Sequence, residues 1–156
     1  MGKLGRIAGA VILVLGVVAT VIGAIFVFQG FSKNNLIVEK MQVEKVSLAL
    51  DPNNPTTRTQ IQTGAQAQAA ADIISSHRRA IAPTYQDLTA GKGFDATNTE
   101  HLRYAQAMNL ENYLYLAVTA FGLVQVVLGA GAFMVVTGIA LGLTGLVLVR
   151  LPIKTA

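Results

Sequence analysis

Residues 7–28 read IAGAVILVLGVVATVIGAIFVF, and residues 126–149 read VVLGAGAFMVVTGIALGLTGLVLV. Neither stretch contains a charged residue. At about 1.5 Å per residue, a helix of either length matches the hydrocarbon core of a bilayer, which is about 30 Å thick. Over all 156 residues, 53% are hydrophobic and 13% are charged, a composition that excludes an ordinary soluble domain. The sequence therefore predicts an all-α membrane protein with two transmembrane helices.

Glycine recurs every seven residues in both stretches. The first set is Gly2, Gly9, Gly16, Gly23 and Gly30, and the second is Gly131, Gly138 and Gly145. A seven-residue repeat imposes a left-handed crossing, and small residues in lipid mark a face where backbones approach closely. We expect an antiparallel transmembrane hairpin in which residues whose numbers sum to 154 face each other. The expected pairs are Gly9 with Gly145, Gly16 with Gly138, Gly23 with Gly131 and Gln29 with Gln125. The alternative is that these glycines reflect only the general frequency of glycine in membrane helices.

Basic residues without acidic neighbours occupy both ends of the chain. They are Lys3, Arg6, Arg150 and Lys154, whereas all eight acidic residues and the other eight basic residues lie between the two apolar stretches, at positions 33–111. Cytoplasmic segments carry an excess of lysine and arginine, so we expect both termini in the cytoplasm and residues 31–112 outside. The net charge of +4 thus reflects membrane topology. The sequence contains no basic patch with interspersed aromatic residues, which is the pattern that would indicate nucleic-acid binding.

A cleaved signal peptide is the alternative for the first stretch, because Lys3 and Arg6 give it a basic start. A signal peptide has an apolar region of about 7–15 residues followed by a small-residue cleavage site. Here the apolar region is longer, and residues 26–31 read FVFQGF. We therefore expect the helix to be retained.

The middle of the chain predicts a mostly helical extracytoplasmic domain. Residues 36–50 largely alternate between apolar and polar, which favours an extended segment without an obvious partner. Residues 51–55 read DPNNP and predict a turn. Residues 59–80 are rich in alanine and glutamine and predict a helix that Pro83 ends.

The last helix begins at a sharper signal. Thr97, followed three residues later by Glu100, forms a capping-box pattern, and no helix breaker occurs before Pro152. These signals predict one helix of about 52 residues, which covers positions 98–149.

The apolar part of this helix, residues 113–149, is too long for one crossing. Either one helix projects far outside the bilayer, with residues 126–149 in lipid, or a turn near residues 129–131 makes two crossings. We expect the projecting helix, because a second crossing would place the basic C-terminal end outside. The predicted domains are residues 1–30 as the first transmembrane helix, 31–112 as the extracytoplasmic domain, 113–150 as the long helix and 151–156 as a cytoplasmic tail.

Catalytic and metal-binding patterns are not evident in the sequence. The chain has no cysteine and two histidines, His77 and His101, without a third ligand at metal-site spacing. Its carboxylates are scattered, and no nucleotide-binding or nucleophile motif occurs. The two lipid stretches lack ionisable residues, which counts against a pump or a proton relay. We expect neither an enzyme nor a cofactor or metal site.

The order of several segments is similar to that of a known group. An N-terminal anchor is followed by EKMQV at residues 39–43, AADIISSH at 70–77, PTYQDL at 83–88 and a long apolar helix. This order resembles small membrane proteins of unknown function from actinobacteria and Chloroflexi, which are often labelled aromatic ring-opening dioxygenases. The resemblance implies a bacterial cell membrane. The enzymatic label implies an iron site built from histidines and a carboxylate, which the two histidines of this chain do not support.

Two functions are compatible with these patterns. A structural or accessory subunit is favoured by Gly122, Gly129 and Gly142, which lie off the Gly131 repeat and offer more small faces than one contact uses. Its partners would be the lipid bilayer and either other membrane subunits or a second copy. The alternative is a membrane-anchored sensor or binding module. Its candidate ligand pocket is formed by His77, Tyr85 and His101.

Overall fold

The structure is a computed structural model that describes residues 3–43, 47–48 and 58–150. Its elements in chain order are α1 (Lys3–Val43), β1 (Ser47–Leu48), β2 (Thr59–Gln60), α2 (Gly64–Ile81), α3 (Tyr85–Thr89) and α4 (Thr99–Arg150). The protein is thus mostly helical. The predictions for Gly2, for the turn at residues 51–55 and for the tail at residues 151–156 lie outside the described residues.

The chain divides into two units. The first consists of Met1–Asn34 with Val124–Ala156, and the second is Asn35–Leu123.

Two helices, α1 and α4, are long and apolar enough to cross a membrane. Within the most apolar window of each helix, 11% of the residues are buried. Exposed apolar side chains on these helices include Val14, Val17, Val21, Phe133, Val136, Leu143 and Val147. A core helix of a soluble protein buries such residues, whereas a helix facing lipid exposes them.

Helix α1 extends thirteen residues beyond the predicted end at residue 30. Residues 31–43 contain no proline and no glycine, so nothing stops a helix that is already formed. The expectation of an extended segment from residue 36 is therefore wrong for residues 36–43. Among the described residues of the predicted extended segment, 36–50, only β1 is a strand. It pairs antiparallel with β2 through Ser47 with Gln60 and Leu48 with Thr59. The partner that the sequence did not reveal is thus the segment just before α2.

Helix α4 is a single helix of 52 residues, as predicted, without a turn near residues 129–131. Its cap differs from the predicted one. Asn98, not Thr97, accepts a hydrogen bond from the Glu100 N–H at 2.9 Å. The Thr97 hydroxyl instead donates to the Asp95 carboxylate at 2.7 Å. Asp95 competes for the threonine, so the cap moves one residue along the chain.

Helix α2 begins at Gly64 because Thr63 caps it, accepting from the Gln66 N–H at 3.2 Å. Residues 59–60 are in the strand, and the predicted helix start at residue 59 is wrong. The helix ends at Ile81, two residues before Pro83, as expected.

The core of the second unit lies between α2 and the first half of α4. It consists of Ile61, Ala67, Ala70, Ala71, Leu114 and Ala117, with Met41, Ile74 and Val118 packed against it. A methyl group at Gly64 would lie 3.2 Å from the Phe121 Cβ atom. Small residues on α2 therefore permit a close approach to α4.

Candidate functional site

The glycines of the first unit form a buried contact between α1 and α4. They comprise Gly9, Gly16, Gly23 and Gly30 on α1 and Gly131, Gly138 and Gly145 on α4. A methyl group at Gly9 would lie 3.1 Å from the Gly145 carbonyl oxygen, one at Gly16 2.7 Å from that of Gly138, and one at Gly23 2.7 Å from that of Gly131. The structure thus brings together the three glycine pairs whose numbers sum to 154. Positions on α4 fall as those on α1 rise, so the helices of this unit run antiparallel.

Each α4 glycine also lies beside a second α1 residue, one turn further along. A methyl group at Gly138 would lie 2.6 Å from the Thr20 nitrogen, and one at Gly131 would lie 2.9 Å from the Val27 nitrogen. The residue numbers of these pairs sum to 158, so each α4 glycine lies between two α1 residues that are four positions apart. The contact is made largely by backbone atoms, which leaves no room for a Cβ atom.

The predicted amide pair is not formed. Gln29 and Gln125 are both exposed, and no hydrogen bond joins them in the described part of the chain. Gly30 occupies the contact instead, and a methyl group there would lie 2.7 Å from the Leu128 Cγ atom. Because neighbouring residues of a helix are about 100° apart around its axis, burial of Gly30 turns Gln29 away from the contact.

The three residues of the predicted ligand pocket have different surroundings, and none of them lines either groove described below. His101 is buried, and its Nδ1 accepts from the Asp95 N–H at 2.9 Å. Its Nε2 then carries the hydrogen and donates to the Leu88 carbonyl oxygen at 3.1 Å. Both ring nitrogens are occupied, so this histidine fastens the loop before α4. His77 is exposed on α2, and Tyr85 packs its ring 6.5 Å from that of Tyr104.

A buried ion pair joins α2 to α4 in the second unit. The Arg78 Nε donates to the Glu111 carboxylate at 2.6 Å, and the Arg78 Nη1 donates to the Tyr104 hydroxyl at 2.6 Å. The Arg78 and Glu111 side chains are 13% and 10% exposed. The hydrogen bond from Arg78 lowers the pKa of Glu111, and the same bond raises the pKa of Arg78. Both groups are charged at neutral pH, and the pair acts as a clamp between the two helices.

This clamp was not predicted, although a signal for it exists. Arg78 lies three residues after Ser75 and seven after Ala71, both of which are buried. Glu111 lies seven residues after Tyr104 and three before Leu114. The two charged residues therefore fall on the buried faces of their helices, where an uncompensated charge is costly.

An apolar groove of about 710 Å³ lies in the second unit. Leu36, Ile37, Lys40 and Met41 of α1 form one wall, and Leu110, Tyr113, Leu116, Ala117 and Ala120 of α4 form the other. Its size falls within the range of about 300–1,000 Å³ of small-molecule sites. We call it the Lys40 groove.

A smaller polar groove of about 500 Å³ lies beside the clamp and is lined by Asp72, Ser75, Ser76, Arg79 and Tyr115. Its carboxylate is already engaged, because Asp72 accepts from Gln68 at 2.9 Å and from the Tyr115 hydroxyl at 3.4 Å. Among the residues that the structure describes, no three histidine, aspartate or glutamate side chains are placed to hold a metal ion.

The described residues thus form a glycine contact, a charged clamp, an apolar groove and a polar groove. Comparison of the chain with protein-family models, with curated proteins and with solved structures finds no match.

Proposed function

We propose that this chain is a non-enzymatic accessory subunit of a bacterial membrane protein assembly. Its α1–α4 pair would form a transmembrane hairpin with both termini in the cytoplasm, residues 31–112 outside and the first part of α4 projecting from the bilayer. The supporting features are the uncharged stretches of α1 and α4, their exposed apolar side chains and the basic residues at both chain ends.

Two glycines of α4 without neighbours carry this proposal. A methyl group at Gly122 or Gly129 would meet nothing within 4 Å, in contrast to the tightly packed glycines of the α1 contact. The two are seven residues apart and so share one face of α4. A glycine in a helix costs about 1 kcal/mol relative to alanine. No described residue packs against Gly122 or Gly129, whereas a partner helix would pack closely against such small residues.

The surroundings of these glycines suit a helix in lipid. Val126 and Phe133 are 69% and 70% exposed and lie on the same side of α4. A methyl group at Gly142, the third glycine off the repeat, would likewise meet nothing within 4 Å, but the Gly142 backbone itself lies beside Gly16 and so belongs to the α1 contact. The proposed interface therefore consists of the Gly122–Gly129 face, and its partner is another membrane subunit or a second copy of this chain.

The test is purification of the full chain from its native membrane at native expression, followed by mass measurement and identification of co-purifying chains. We expect a complex that Gly129→Leu disrupts while the α1–α4 pair remains intact. Ala130→Leu is the matched control, because Ala130 is exposed and points to another side of α4. A pure monomer, or equal behaviour of the two variants, would refute the proposed interface.

A binding module is the second candidate, and the Lys40 groove is the observation that favours it. The ligand would lie there, and not at the predicted trio of His77, Tyr85 and His101, none of which lines this groove.

A further inference from the structure

The Lys40 groove combines an apolar lining with one charge. Of its nine lining residues, seven have wholly apolar side chains, and the exceptions are Lys40 and Tyr113 with its hydroxyl group. Leu36, Leu116 and Tyr113 are 43%, 63% and 68% exposed, so both walls present apolar surface that is not covered by the described chain. An occupant must therefore be largely apolar.

The charge specifies the polar end of that occupant. Lys40 is exposed in the last turn of α1, and its ammonium group can only donate hydrogen bonds. Among the described residues it forms no ion pair, and no carboxylate lines the groove. Tyr113 supplies a second donor on the opposite wall. The polar end that matches these donors is an anion.

The dimensions of the groove suit a single hydrocarbon chain. Along α4 the groove runs from Leu110 to Ala120, about 15 Å at 1.5 Å per residue. Its volume of about 710 Å³ lies within the range of small-molecule sites.

We propose that the Lys40 groove binds a long-chain fatty acid, with its hydrocarbon chain between α1 and α4 and its carboxylate at Lys40. The proposal is independent of the accessory role, because the groove and the Gly122–Gly129 face are separate surfaces. It adds a ligand class to the binding-module alternative.

The chain contains no tryptophan, so a single introduced one reports locally. Leu116→Trp places the reporter in the groove, and Phe133→Trp places one on the exposed apolar face of α4 outside it. The full-length protein in phosphatidylcholine nanodiscs is titrated with a bromine-labelled fatty acid, which quenches tryptophan fluorescence on contact. We expect saturable quenching of the groove reporter at lower ligand concentrations than for the control reporter.

Two groove substitutions, one control substitution and a change of ligand length test the assignment of each end of the ligand. Lys40→Gln should weaken binding about two- to fivefold, as for an exposed ion pair. Lys33→Gln, a charge change on the same helix but outside the groove, should not. Ala120→Leu should narrow the groove and reduce binding without disturbing a buried contact. Each methylene removed from the ligand should cost up to about fourfold in affinity.

Three results would overturn the proposal. The first is quenching at the groove reporter that follows the control reporter at every concentration, which would indicate partition into the bilayer alone. The second is saturable quenching that is insensitive to both Lys40→Gln and Ala120→Leu. The third is absence of quenching because a protein partner fills the groove.

Discussion

Replacement of Gly138 with alanine tests the backbone contact directly. The added methyl group would lie 2.6 Å from the Thr20 nitrogen and 2.7 Å from the Gly16 carbonyl oxygen. Ordinary contacts of a Cβ atom begin near 3.4 Å. The two helices must therefore separate by roughly 0.7 Å at this position, since neither neighbour is the end of a flexible side chain.

The expected loss of stability in Gly138→Ala follows from this separation of the helices. A gap of about 0.5–1 Å forfeits a quarter to a half of each dispersion contact across it, and overpacking of this kind costs about 1–3 kcal/mol. At Gly129 the same methyl group meets nothing, so Gly129→Ala should gain up to about 1 kcal/mol from helix propensity in the isolated chain. Gly138→Ala gains the same helix propensity, so the two alanine variants should differ by the cost of overpacking, about 1–3 kcal/mol.

The assay is unfolding of the full chain in detergent micelles, followed by circular dichroism with increasing temperature or denaturing detergent. We expect Gly138→Ala to unfold first and Gly129→Ala to unfold with or after the unsubstituted protein. Equal stability of Gly138→Ala and Gly129→Ala would show that α1 and α4 do not approach each other as described.

Two further features give predictions of their own. Cysteines introduced together at Gly23 and Gly131 should crosslink in membranes, whereas the pair at Gly23 and Gly138 should not, and gel mobility after oxidation decides between them. Glu111→Gln leaves the Arg78 charge without its carboxylate and should lower the free energy of unfolding by about 3 kcal/mol, whereas replacing both partners with apolar residues should cost less. Because the folded protein lowers the pKa of Glu111, its contribution is present above the ordinary carboxyl pKa and lost as the pH falls. The temperature of thermal unfolding should accordingly fall in acid, and Glu111→Gln should flatten that dependence.

Local signals explain which elements could be predicted. The length of α4 follows from a start signal near Asn98 and the lack of a breaker before Pro152, so its 52 residues were predictable. The end of α1 was missed because residues 31–43 are polar enough to suggest an exit from the bilayer. Yet they contain nothing that breaks a helix.

The candidate sites depend on contacts between distant segments. Arg78 and Glu111 are 33 residues apart, and their pairing exists only because alanines allow α2 to pack on α4. His101 is occupied by Leu88, thirteen residues away, through a loop whose course composition does not reveal. The Lys40 groove likewise requires the unpredicted extension of α1 to Val43.

The spacing of the glycines also limits how α1 could slide along α4. A displacement by one period of seven residues, about 10 Å, would set Gly16 against Gly145, Gly23 against Gly138 and Gly30 against Gly131, again three pairs. Smaller displacements would drive valine and leucine side chains into positions where only a hydrogen atom fits. Only displacements by whole periods of seven residues therefore keep glycine opposite glycine. The two alignments have equal numbers of glycine pairs, so contacts of other residues, such as Leu128 beside Gly30, must select between them.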